Sequence, residues 1–254
     1  MTLIAKLEAR RSQLKAQRRN PFTLLELLVV VAIIAIIAGA IISSYDGLDD
    51  TAAASTSSHT TASCDQIIRQ YTVINNTAPN KFDSGLDSAG AILDLLPNTT
   101  LFTINTLSAT TAAPLTVAGI TALKATAYTN GATAPNTPNR VYDGSTTDIS
   151  IASNTKVLQL NTATFNSKFG FGATEILVAL PIGNNCTLVT NTSSKVTLGQ
   201  APASPDALKT KYCRYFAIYD IGTSTTPLAN AKFLGMIDAN GKTIDELAVA
   251  AKAN

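Results

Sequence analysis

From Leu27 to Ile42 the chain runs sixteen residues without a polar side chain. Taken back to Phe22, the apolar stretch is 21 residues long. As an α-helix rising 1.5 Å per residue it would measure about 30 Å, the thickness of a bilayer core. The pattern therefore predicts a membrane-spanning helix over 22–42, with one carboxylate, Glu26, lodged inside its front edge. Residues 43–75 read as a continuation of that helix. A break is expected near 46–49 or 55–61, where Asp46-Gly47 and Ser55-Thr56-Ser57-Ser58 are poor helix formers. Ile67, Ile68, Tyr71 and Ile74 then return with helical spacing and would face a sheet. A second helix is expected over 84–96, with Leu86, Ala89, Ile92, Leu93 and Leu96 as its apolar face and Pro97 as its stop.

Beyond Pro97 the period changes. Short alternating pieces at 101–107 and 156–160 predict strands, separated by a loop at 129–139. Runs rich in β-branched and aromatic residues predict three further strands at 175–181, 212–221 and 231–238. Asn240-Gly241 marks a turn, and Thr243 with Glu246 has the spacing of a capping box opening a terminal helix over 244–253. The expected division is a leader over 1–21, a spanning helix over 22–42, a helix extension over 43–75 and an α+β globular domain over 76–254.

Charge adds an orientation. The formal net charge is +2, but residues 1–21 hold six basic side chains against one acidic, while the remainder holds 13 basic and 16 acidic. A basic arm before an apolar run predicts the N-terminus in the cytoplasm and the body outside, in a single-pass arrangement. Charged residues make up only 14% of the chain, against about 25% in an average soluble protein. A mildly acidic, Thr/Asn-rich body is not a nucleic-acid surface by bulk charge.

The segment Phe22-Thr23-Leu24-Leu25-Glu26-Leu27-Leu28-Val29-Val30-Val31-Ala32-Ile33-Ile34 resembles the N-terminal processing and methylation motif of type IV pilins and type II secretion pseudopilins. The likeness implies a structural subunit with a pilin-like α+β fold: a long N-terminal helix, its first half spanning the membrane, packed on a C-terminal antiparallel sheet. It implies cleavage by a prepilin peptidase between Pro21 and Phe22, N-methylation of Phe22, and assembly into a filament with other pilin-like subunits from an inner-membrane platform. Glu26 matches the family's glutamate, which pairs with the N-terminal amine of a neighbouring subunit. A carboxylate of that kind neutralises a cation where unpaired charge is costly, and so fixes the register of helix against helix. The family places glycine, alanine or serine before the scissile bond; here that residue is Pro21.

The resemblance also implies a C-terminal loop closed by a disulfide, for which Cys186 and Cys213 are the candidates. Closing a loop of about 27 residues would contribute about 3–4 kcal/mol. The alternative is a pair of buried thiols, with Cys64 left over on the helix. Major pseudopilins bind calcium near their C-terminal strands, and Asp238-Ala239-Asn240-Gly241 bears a faint resemblance to a calcium loop, though it reads first as a turn and no cofactor is expected. It lacks the alternating ligands and closing glutamate of an EF-hand. Catalytic chemistry finds little footing. His59 is the lone histidine, Gly170-Phe171-Gly172 lacks the third glycine and the strand–helix context of a dinucleotide loop, and there is no serine nucleophile elbow. The rival function is capture of DNA or a secreted substrate at a filament tip, for which Lys209, Lys211 and Arg214 are the basic cluster. Tyr212, Tyr215 and Tyr219 around Arg214 read as sheet packing before they read as a base-stacking platform.

Overall fold

The computed structural model describes residues 23–45, 48–132, 147–165, 168–191, 196–205 and 212–252. The chain divides into two compact units, 1–49 and 50–254. The first contains helix α1 (Leu24–Tyr45), built from Leu, Val, Ile and Ala with no proline. Its large aliphatic side chains from Leu24 to Ile37 are exposed all round the helix, from 44% at Val29 to 84% at Leu24.

The second unit begins on helix α2 (Leu48–Asn75). Of the two places where a break is expected, 46–49 holds Asp46 and Gly47, which lie outside the described residues between the end of α1 at Tyr45 and the start of α2 at Leu48; through Ser55–Thr61 the helix runs unbroken. Tertiary packing overrides the weak local propensity. Ser57, Thr61, Cys64, Ile68 and Tyr71 are all buried and recur at alternating intervals of four and three, which places them along one stripe of the helix. The Thr61 hydroxyl donates to the Ser57 carbonyl at 2.6 Å and so is satisfied inside the seam. Farther along, Arg69 bonds Asp65 at 2.8 Å, donates to the Leu234 carbonyl at 3.2 Å and lies 5.0 Å over the Phe233 ring.

The stripe faces one side of a five-stranded antiparallel sheet of order β2-β5-β6-β7-β8. The strands are β2 (Phe102–Thr106), β5 (Lys156–Leu160), β6 (Leu177–Pro181), β7 (Phe216–Gly222) and β8 (Pro227–Ile237). The central pair registers Leu177 on Asp220 and Pro181 on Phe216. Side chains alternate faces along a strand. Val178, Leu180, Ala217 and Tyr219 join the core under α2, while Leu177, Ala179, Phe216 and Ile218 join a second core on the other face. Both faces are covered, so β6 and β7 are fully buried; β6 is a continuous apolar run, while β7 carries the buried Asp220, which accepts from the Gly222 N–H at 2.8 Å. A smaller sheet of order β1-β3-β4 joins β1 (Phe82–Asp83), β3 (Ala122–Lys124) and β4 (Asp148–Ser150), with β1 parallel to β3. Helix α3 (Ala109–Ala118) enters through a Ser108–Thr111 capping box and stops at Gly119, whose φ of 103° is left-handed.

The segment 84–96 is not a helix. It is a chain of turns with a bridge between Leu86 and Ile92. The Asp87 carboxylate accepts from the Ala89 and Ala91 N–H groups at 3.0 and 2.7 Å, and Gly90 has φ of 76°. Asp and Gly turn chemistry prevails over helical spacing. The leucines that suggested a helical face, Leu86, Leu93 and Leu96, are buried all the same, against the sheet face opposite α2.

The expected fold, a long N-terminal helix with a membrane-spanning first half laid on a C-terminal sheet, is overturned. Among the described residues no helix is long and apolar enough to cross a membrane. The single-pass inner-membrane placement loses its support on the same ground. Nor is the sheet C-terminal: β2 and β5 come from the middle of the chain, and a second sheet stands beside the first.

The chain closes with helix α4 (Ile244–Ala250), capped by the expected box. The Thr243 N–H donates to Glu246 at 2.9 Å and the Glu246 N–H donates to the Thr243 hydroxyl at 3.4 Å. Lys168 pairs with Glu246 at 2.6 Å. Partial burial works to raise the Glu246 carboxyl, but Lys168 beside it and the Thr243 groups outweigh that and hold it below the ordinary carboxylate range. A carboxyl lowered by folding stabilises above its unfolded pKa, and the contribution fades as pH falls through the folded value. The pair is part-exposed, so Lys168→Ala should cost under about 1 kcal/mol at pH 7. Urea titrations should show that difference shrinking in acid below the ordinary carboxylate range; a gap that widened there would contradict the assignment.

Candidate functional site

The first turn of α1 is held by a capping box. The Thr23 N–H and hydroxyl both lie on Glu26 Oε2, at 3.1 and 3.2 Å, and the Glu26 N–H donates to the Thr23 hydroxyl at 3.2 Å. Leu27 N–H closes the turn on the Thr23 carbonyl at 3.1 Å. The carboxylate thus accepts from the Thr23 N–H, which the helix start otherwise leaves unsatisfied, where the helix dipole also favours a negative charge. Sequence reasoning valued Glu26 for its charge alone and passed over the signal that was there: Thr23-Leu24-Leu25-Glu26 has the same spacing as Thr243–Glu246. Two hydrogen bonds from Thr23 hold Oε2 on its own helix. Immediately behind this polar turn comes the aliphatic surface of Leu24, Leu25, Leu27, Leu28, Val29 and their successors, all exposed. Pro21 and Phe22, the expected processing and methylation positions, lie outside the described residues.

The other candidates are structural or lie apart from this turn. Cys64, Cys186 and Cys213 are buried and none is in a disulfide, so the 186–213 bridge is not formed in this structure. Burial pushes the Cys64 and Cys186 thiols up to about 12, which keeps them protonated and unreactive at neutral pH. Cys186 opens a single helical turn, Thr187–Thr190, and Cys64 belongs to the buried stripe of α2. His59 is exposed on the outer side of α2. Lys209 and Lys211 lie outside the described residues. Arg214 is only 3% exposed, and its Nη1 donates to the Ala201 and Pro202 carbonyls at 2.8 and 3.3 Å. It therefore contributes nothing to an exposed basic patch.

The three tyrosines are core residues. Tyr212 donates to Asp83 Oδ2 at 2.8 Å, and burial pushes the Tyr215 hydroxyl up to about 12. Tyr219 stands between Phe82, edge-on with centroids 6.1 Å apart, and Phe233 at 5.4 Å. Its hydroxyl is buried with no hydrogen-bond partner among the described residues, and burial raises its pKa well above the ordinary phenol value. A desolvated, unpartnered hydroxyl is destabilising. Tyr219→Phe should therefore raise stability by about 1 kcal/mol, read as a higher urea midpoint at constant m-value; a lower midpoint would mean that the hydroxyl is satisfied in solution.

Asp238 Oδ1 accepts from the N–H groups of Asn240 and Lys242 at 3.0 and 2.6 Å, which makes 238–242 a self-capped turn. Asp50, Ser57, Asp238, Asn240 and Lys242 line a cleft of about 380 Å³ beside it. Among the described residues no group of three or more His, Cys, Asp or Glu side chains is placed to hold a metal.

No family model, curated protein or solved structure matches this chain. The functional reading therefore rests on the apolar helix, its capped acidic turn and the likeness of residues 22–34 to the pilin motif.

Proposed function

We propose that the chain is a structural subunit of a type IV pilus-like or type II secretion pseudopilus-like filament, assembled through α1. The observation that carries the reading is the exposure of large aliphatic side chains all round that helix. A helix apolar on every face is stable in water only when its surroundings cover it. Packing α1 of one copy among those of others covers all faces, where a two-fold pair would cover one. Contacts of that head-to-tail kind do not close and so extend into filaments. Glu26 supplies the one charged side chain on α1. Its partner in this reading is the α-amine of Phe22 on a neighbouring copy, freed by a prepilin peptidase. The rival reading, capture of nucleic acid at a filament tip, is weakened by the burial of Arg214.

The capping box makes a sharp test possible. Glutamine serves at the third helical position nearly as well as glutamate, so Glu26→Gln keeps the cap and removes only the charge. Thr23→Ala weakens the cap, by about 1 kcal/mol, and keeps the charge. If Glu26 pairs with a cation between copies, Glu26→Gln should lower the yield of sedimentable polymer by about a hundredfold, because the partner charge is left buried and alone. Thr23→Ala should lower it by about tenfold or less. Polymer yield unaffected by Glu26→Gln would reduce Glu26 to a helix cap and remove the pairing from the proposal. Mass spectrometry of the assembled protein should find methylated Phe22 at its N-terminus.

A further inference from the structure

We draw no further inference here: the strongest candidate, the cleft of about 380 Å³ between the early turns of α2 and the Asp238–Lys242 turn, rests on two acidic side chains, Asp50 and Asp238, beside a helix end, and no second observation in the structure shows what ligand it would hold.

Discussion

Replacing Gly183 by alanine should unfold the protein about 10 °C earlier than the parent. Gly183 lies two residues past β6, against the buried carboxyl group of Asp83 at the end of β1. A Cβ added at Gly183 would overlap all three atoms of that carboxyl group. Asp83 is 1% exposed, and Tyr212, 2% exposed, donates its hydroxyl to it. Relief requires the carboxylate to move, which breaks a hydrogen bond between two groups that water does not reach. Overpacking costs about 1–3 kcal/mol, and a buried polar group left without its partner costs about 1–3 kcal/mol more. The expected total is about 4 kcal/mol, a large share of the stability of an ordinary domain. A double-mutant cycle checks the cause. In an Asp83→Ala background the same glycine substitution should cost under about 1 kcal/mol, whereas an unchanged cost would move the clash elsewhere.

Ile68→Ala should cost about 3 kcal/mol, and Val73→Ala, less than two helical turns away, should cost under about 0.5 kcal/mol. Ile68 is fully buried in the stripe of α2 that meets β6 and β7, while Val73 is 82% exposed. Truncating Ile68 loses the transfer free energy of its side chain and leaves a cavity that the close-packed seam cannot refill. Chemical denaturation of the two variants at a common pH reads the difference directly. Equal midpoints would mean that α2 does not depend on the sheet for its place.

The legible parts of the fold were the local ones. The strand at 156–160 is legible to the residue, because Val157, Leu158 and Leu160 follow the pleat within five positions. The Thr243–Glu246 cap was read because it is complete within one turn. What depended on distant partners was hidden. The α2 stripe begins with Ser57 and Thr61, polar residues that carry no hydrophobic signal and are buried only because the sheet covers them. Strand β7 starts at Phe216 rather than Tyr212, since Tyr212 pairs its N–H with the Leu95 carbonyl instead. The small sheet was invisible because its strands are two or three residues long and β1 pairs with β3 some forty positions away. The leucine spacing at 84–96 was a true sign of burial and a false sign of helix. At Glu26 the sequence holds two messages, a charge in an apolar run and a cap three residues after a threonine, and the first masks the second.

The division of the chain at 49/50 separates two kinds of selection. In the proposed filament, substitutions on the aliphatic surface of α1 would act on how copies recognise each other, whereas those beneath α2 act on whether each copy folds. On that proposal, drift in the body would proceed without erasing the segment that copies share, and subunits with unlike bodies would build into one fibre as long as that segment is kept.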